Sequence, residues 1–103
     1  RFLDTNYTGI DSSEFAPIIK GMELSVNGST GSTGWRARVP DITVCGKTGT
    51  SQNPHGEDHS VFIAFAPKKN PQIAVGVIIE NAGYGSRWAA PIAGLMIEKY
   101  LKK

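Results

Sequence analysis

Lys47, Thr48 and Thr50 place one amine and two hydroxyls around Gly49. Lysine supplies a positive charge, and threonine hydroxyls donate hydrogen bonds to an anion such as a carboxylate. A glycine inside a strand leaves the backbone open to a ligand that lies alongside it. These residue types therefore predict a site at which an extended, anionic ligand pairs with the edge of a strand.

The segment 42–51 must position these side chains. Its β-branched residues and its side-chain alternation of period two predict a strand. The alternation places Thr48 and Thr50 on one face and Lys47 on the opposite face. We therefore expect the ligand to lie along the strand's edge, with Lys47 reaching it from beneath. A strand covered on both edges would contradict this expectation.

Other interpretations of the segment stay open. Gly46-Lys47-Thr48 matches the end of the phosphate-loop pattern, but Asp41 stands where that pattern has its first glycine. A phosphate loop must also open a helix, and Pro54 follows here instead. The segment equally fits an ordinary strand with a surface lysine. Cys45 is expected to be a small core residue rather than a nucleophile.

The composition of the 103 residues is typical of one globular domain or of a piece of one. The formal net charge of +2 is too small to indicate a nucleic-acid partner. No stretch approaches the ~18 apolar residues of a membrane span, and no signal peptide opens the chain. Because the chain begins with Arg1, we expect it to be processed or excised. The single cysteine excludes an internal disulfide.

Two helices are predicted to flank the sheet. Apolar residues recur at helical spacing behind Asp11, which can cap a helix, and predict a helix over 13–27. Gly21 interrupts this helix and is assigned to a close packing contact. A second helix is predicted over 87–102 with Ser86 as its cap. It carries a broad apolar stripe that can cover the sheet, namely Trp88, Ile92, Leu95, Met96 and Tyr100.

Two continuous apolar runs predict further strands over 60–66 and 72–80, joined by a short loop. Short connections make the three strands antiparallel neighbours, which predicts an α+β fold with helices on an antiparallel sheet. The glycine-rich run 28–34 predicts a flexible loop. His55 and His59 are four residues apart, but a proline and a glycine nearby favour a solvated loop, so no metal is expected.

Several segments, in order along the chain, resemble the last third of a class B penicillin-binding protein transpeptidase domain. Cys45-Gly46-Lys47-Thr48-Gly49-Thr50 contains the family's Lys-Thr-Gly motif. Segment 58–67 resembles the next strand of the family, and segments 80–86 and 89–93 resemble its closing turn and helix. The similarity extends over roughly residues 12–102 and is closest to the elongation-type penicillin-binding protein 2 group.

The resemblance implies a β-lactamase/transpeptidase-like fold and peptidoglycan D,D-transpeptidase chemistry, without a cofactor. A serine attacks the D-Ala-D-Ala amide of a stem peptide, D-alanine leaves, and an amine of a neighbouring stem takes the acyl group. By resemblance, Lys47 and Thr50 are catalytic, with Lys47 holding the network around a second serine. The backbone N–H of Thr50 would be an oxyanion donor. Thr48, Gly49 and Thr50 would bind the substrate, whose carboxylate contacts the two hydroxyls.

Two further motifs of the family are missing. No Ser-x-x-Lys, which carries the nucleophile, occurs in the chain. Ser25-Val26-Asn27 and Ser51-Gln52-Asn53 fit the spacing of Ser-x-Asn but are expected to be coincidences. We therefore expect a C-terminal fragment of one transpeptidase domain that is inactive alone, because serine chemistry needs nucleophile and base in contact. Strand 73–79 would keep an open edge, through which two copies can pair.

The partners implied by the resemblance are peptidoglycan stem peptides, β-lactams and a membrane glycan polymerase of the elongation machinery. The implied location is the outer (periplasmic) side of a bacterial cytoplasmic membrane. Two alternatives stay open. One is a β-lactamase or D,D-carboxypeptidase of the same superfamily, and the other is a non-enzymatic peptide-binding module.

Overall fold

The computed structural model describes residues 3–29, 31–84 and 87–102. In chain order it contains helix α1 (Ser12–Asn27), a 3₁₀ turn (Trp35–Ala37), strands β1 (Cys45–Ser51), β2 (His59–Ala66) and β3 (Ile73–Ile79), and helix α2 (Ala89–Leu101). The strands form one antiparallel sheet in the order β1-β2-β3. The α+β architecture predicted from the sequence is therefore confirmed.

One face of the sheet carries the core. Phe62 is fully buried at the centre of this face, where it pairs with Thr48 of β1 and Val77 of β3. Side chains alternate along a strand, so the neighbouring pairing puts Lys47 beside Ile63 on the other face. Ile63 is 52% exposed there. The sheet therefore has a buried face towards α2 and a partly open face on the side of Lys47.

Helix α2 packs on the core face through small residues, which corrects the expected stripe. Its buried residues are Ala89, Ala90, Ala93, Gly94 and Ile97. The stripe predicted from apolar spacing points outwards instead, and its five members are between 38% and 66% exposed. A Cβ at Gly94 would lie 2.9 Å from the carbonyl oxygen of Ala37. The larger side chains cannot fit between the helix and the 3₁₀ turn, so the small face turns inwards.

Ser60 caps helix α2 from across the fold. Trp88, at the N-cap position, makes no side-chain hydrogen bond to the helix. The Ser60 hydroxyl instead accepts the Ala89 N–H at 3.1 Å and donates to the Tyr84 carbonyl at 2.9 Å. The predicted cap, Ser86, lies outside the described residues. A fully buried serine of β2 thus joins the sheet to the helix start.

We expect Ser60→Ala to lower the free energy of unfolding by about 1–3 kcal/mol, because two backbone groups lose their partner in the interior. Ser51→Ala removes the same hydroxyl at an exposed position of β1 and should change stability by less than about 0.5 kcal/mol. Urea unfolding measures both values. Equal stabilities of the two variants would mean that the buried hydroxyl contributes nothing as a cap.

Helix α1 lies beside β1 and is tied to the rest of the chain by polar contacts. Its Asn27 amide donates to the Val44 carbonyl at 2.8 Å, and Lys68 Nζ bonds to the Glu23 carboxylate at 2.8 Å. The Arg38 guanidinium donates to carbonyls at the helix end, at 2.7 and 2.8 Å. The hydrogen bond from Lys68 holds the pKa of Glu23 below its usual value, and Glu23 raises the pKa of Lys68.

Several expectations need correction. β1 begins at Cys45 rather than at 42, because Asp41 has a left-handed φ of 68° and the Ile42 N–H bonds back to the Val39 carbonyl at 3.2 Å. Segment 39–42 thus forms a turn ahead of the strand. The other element boundaries agree with the expected ones or differ from them by at most two residues. The packing contact assigned to Gly21 is wrong, since a Cβ there would meet no atom within 4 Å.

Candidate functional site

Strand β1 has a neighbouring strand on one side only within the described residues. A side chain of α1 reaches the carbonyl of Val44 on the other side, at 2.8 Å. The backbone after β2 donates to the carbonyl of Thr43 at 3.0 Å. Successive residues of an extended chain direct their polar backbone groups to opposite sides. The N–H and C=O groups of Thr48 and Thr50 are thus expected on the side of Val44, which is the free edge.

Lys47 lies at a groove of about 610 Å³ between α1 and β1. The groove is lined by Ile18, Gly21, Met22, Ser25, Gly31, Thr33, Lys47 and Ile63. The Lys47 side chain is exposed, and its Nζ donates a hydrogen bond to the carbonyl of Thr48 at 2.9 Å. The ammonium group is thereby held beside the backbone of the strand, where it can attract an anion.

The two threonines face different surroundings. Thr48 is half-buried, and its hydroxyl donates to the Thr33 hydroxyl at 3.2 Å. Thr50 is exposed and borders a separate cavity of about 220 Å³, together with Asp58 and Tyr84 among others. The structure therefore brings Lys47 and Thr48 together, whereas Thr50 lies further along the strand. Thr33 has no place in the sequence-based site, because its glycine-rich loop predicts flexibility rather than a fixed contact.

The two glycines of β1 differ in the space that a side chain would find at each position. A Cβ at Gly46 would overlap the Phe62 ring and lie 2.9 Å from the Ile63 carbonyl oxygen. A Cβ at Gly49 would meet only the Val61 side chain, at 3.7 Å, which is an ordinary contact. Packing within the chain thus requires Gly46 but leaves room at Gly49.

The other candidate groups do not form a site. Cys45 is buried, and this burial raises the pKa of its thiol, which disfavours the nucleophilic thiolate. His59 Nδ1 accepts the backbone N–H of Asn81 at 3.0 Å, whereas His55 bonds through its backbone in the preceding loop. Among the described residues, His, Cys, Asp and Glu side chains form no group of three able to hold a metal.

The two Ser-x-Asn sequences lie in different places. Ser25 is near the end of α1 and lines the groove, where its hydroxyl is 3.4 Å from that of Thr33. Ser51 is exposed at the end of β1. Neither helix within the described parts of the chain is long and apolar enough to cross a membrane.

Comparison with known proteins identifies the family of the chain. A family model described as "Penicillin binding protein transpeptidase domain" matches residues 5–98. The chain is 39% identical over 100 aligned residues to the peptidoglycan D,D-transpeptidase MrdA of Haemophilus influenzae, covering 82% of this chain and 15% of that protein. It is 36% identical to the peptidoglycan D,D-transpeptidase PbpA of Mycobacterium tuberculosis, covering 65% of this chain and 16% of that protein.

Two solved structures share the fold. Penicillin-binding protein 2 of Pseudomonas aeruginosa, in complex with WCK 5153, superposes with a TM-score of 0.80 at 34% identity, over 90% of this chain and 20% of that one. Penicillin-binding protein A of M. tuberculosis, a ceftriaxone acyl-enzyme complex, gives a TM-score of 0.66 at 34% identity, over 81% of this chain and 20% of that one.

The chain spans about 15–16% of the length of the two curated relatives. The match of the family model covers most of the chain, and the structural match to the Pseudomonas aeruginosa protein covers 90% of it. The resemblance seen in the motifs is thereby confirmed. The chain belongs to the penicillin-binding protein transpeptidase family and is of the penicillin-binding protein 2 type.

Proposed function

We propose that the chain supplies the Lys-Thr-Gly strand of a peptidoglycan D,D-transpeptidase, as a C-terminal part of one transpeptidase domain. The nucleophilic serine of Ser-x-x-Lys and the true Ser-x-Asn lie in other segments of a longer protein. The observation that carries the proposal is the free edge of β1, along which Lys47 and Thr50 each border a cavity. The family match supports the reaction class.

The acyl donor lies along the free edge of β1. Its C-terminal carboxylate accepts hydrogen bonds from the hydroxyls of Thr48 and Thr50, and the Lys47 ammonium attracts the same negative charge. Gly49 lets the donor's backbone approach the strand. The Thr50 N–H, which alternation directs to the free edge, donates to the carbonyl oxygen on which negative charge develops.

The reaction then proceeds in two acyl transfers. The serine oxygen attacks the D-Ala-D-Ala amide carbonyl and loses its proton to a base, and the departing D-alanine amine takes up a proton. The resulting serine ester is attacked by an amine of a neighbouring stem peptide, which forms the crosslink and restores the serine. The sequence of this chain contains no Ser-x-x-Lys, so we expect the chain alone to be inactive.

Partners and location follow from the same proposal. The longer protein binds stem peptides and β-lactams, and the ceftriaxone acyl-enzyme of the M. tuberculosis relative supports the second of these. It works beside a membrane glycan polymerase of the elongation machinery, on the outer side of the cytoplasmic membrane. Its relatives of known sequence include proteins from several bacteria.

A fluorescent penicillin tests the proposed function. The full-length protein and this chain are incubated with the probe in parallel, denatured and separated by electrophoresis. We expect stable covalent label on the full-length protein and none on the chain. Label that forms and is rapidly hydrolysed would favour a β-lactamase instead. Peptide affinity without any label would favour a non-enzymatic binding module.

We also propose that the isolated chain self-associates through β3. This strand has a neighbour on one side only within the described residues, and its Ile78 is 66% exposed. An open strand edge with apolar side chains pairs readily with another copy. Light scattering of the isolated chain over a range of concentrations should therefore show dimers, and a monomer at every concentration would refute the proposal.

A further inference from the structure

Three hydroxyls from three separate segments meet at the end of the groove. Ser25 belongs to α1, Thr33 to the loop after it, and Thr48 to β1. The Thr33 oxygen lies 3.2 Å from that of Thr48 and 3.4 Å from that of Ser25. Thr33 is therefore the central member of a short chain of hydroxyls that ends on the threonine proposed to bind the substrate carboxylate.

Contacts of neighbouring loop residues fix the position of Thr33. The Gly34 N–H donates to the Ser25 carbonyl at 2.8 Å, and a Cβ at Gly34 would lie 3.0 Å from the Phe62 ring. On the other side, the Arg38 guanidinium holds the Gly28 carbonyl at 2.8 Å. The loop is thus fixed at both ends against buried parts of the fold, and Thr33 is presented to β1.

A hydroxyl carries a single proton, so it can donate only one hydrogen bond at a time. While Thr48 donates to Thr33, it has no proton left for a carboxylate. When an anion arrives, the hydroxyls can rotate so that Ser25 donates to Thr33, Thr33 to Thr48, and Thr48 to the anion. Each oxygen keeps its own proton, and no hydrogen bond of the chain is lost. A chain of this kind also polarises its last member.

We propose that Thr33 is a positioning residue that orients the Thr48 hydroxyl towards the carboxylate of an acyl donor. The inference rests on the proposed function, and it assigns a role to a loop that contributes no other group to the reaction. The acyl donor is a D-Ala-D-Ala stem peptide or a β-lactam that carries the corresponding carboxylate.

The test compares acylation of the full-length protein by benzylpenicillin and by its methyl ester, which lacks the carboxylate. Thr33→Val removes the hydroxyl and keeps the volume. We expect it to lower the second-order rate constant for benzylpenicillin by about 5- to 10-fold, the loss typical of one hydrogen bond, and to leave the slower reaction of the ester unchanged. Thr33→Ser keeps the hydroxyl and should stay within about twofold of wild type.

Ser32→Ala is the matched control, because it removes a hydroxyl of the same loop that bonds to Arg38 and not to Thr48. Equal slowing of penicillin and ester by Thr33→Val would overturn the inference, since a general structural effect acts on both. So would a Thr33→Ser variant as slow as Thr33→Val. A wild-type protein that penicillin never acylates would overturn the proposed function itself, whereas a labelled wild type with an unaffected Thr33→Val variant would overturn only the role of Thr33.

Discussion

Lys47→Ala should lower the rate at which penicillin acylates the full-length protein by about 100-fold or more, the loss seen when one preorganised electrostatic partner is removed. The Lys47 ammonium lies beside the strand proposed to receive the anion and is held at 2.9 Å from the Thr48 carbonyl oxygen. Its side chain is exposed, so the thermal midpoint should barely change. The measurement is the time course of covalent fluorescent label.

Lys69→Ala provides the matched control. Lys69 is also exposed, but it lies in the loop after β2 and does not line the groove beside α1. Removing it changes the net charge of the protein by the same amount, so its label should form at the wild-type rate. If both variants lose activity equally, the effect is one of overall charge, and Lys47 has no special place in the reaction.

Gly49→Val is expected to abolish most acylation while leaving the fold intact. The new Cβ would meet Val61 at 3.7 Å, so the unfolding free energy should change by less than about 1 kcal/mol. The same side chain would take up space beside the edge along which we propose that the ligand backbone lies. A displacement of the ligand by about 1 Å is enough to cost on the order of 100-fold in rate. Penicillin labelling and urea unfolding of the same preparation give the two numbers.

Gly46→Val is the matched variant, and we expect it to lose stability, whereas Gly49→Val should lose acylation. Its side chain would overlap the Phe62 ring and approach the Ile63 carbonyl oxygen. We expect a loss of about 3 kcal/mol in unfolding free energy, the upper range for overpacking a core. If Gly49→Val were the more destabilising of the two, the space beside β1 would be filled by the protein itself and not by a ligand.

Local pattern was sufficient for the order and pairing of the strands. The period of two around Lys47 and the apolar runs after it predict neighbouring antiparallel strands, because each signal lies within a few residues. The prediction of which face of helix α2 packs on the sheet was wrong, and the reason is physical. Spacing identifies an apolar stripe, but the close approach to Ala37 selects the small face, with Gly94 at its centre.

The contacts that escape the sequence join distant positions. Ser60 caps a helix that begins 29 residues later, and Thr48 bonds to Thr33 from 15 residues away. Sequence rules for helix caps and loops consider only nearby residues, so they do not predict contacts between positions this far apart. The glycine-rich loop shows the same limit, because its composition predicts flexibility while Gly34 is buried against Phe62.

The fit of Phe62 over Gly46 also decides which register the β1–β2 hairpin can adopt. A slip by one residue would turn every side chain of β1 to the opposite face. It would then bring Lys47 or Cys45 under the Phe62 ring, where even a Cβ does not fit. A slip by two residues would bring Thr48 or Val44 to the same place. The misaligned hairpins are thus excluded sterically, and the one that remains holds the Lys47 amine out towards solvent.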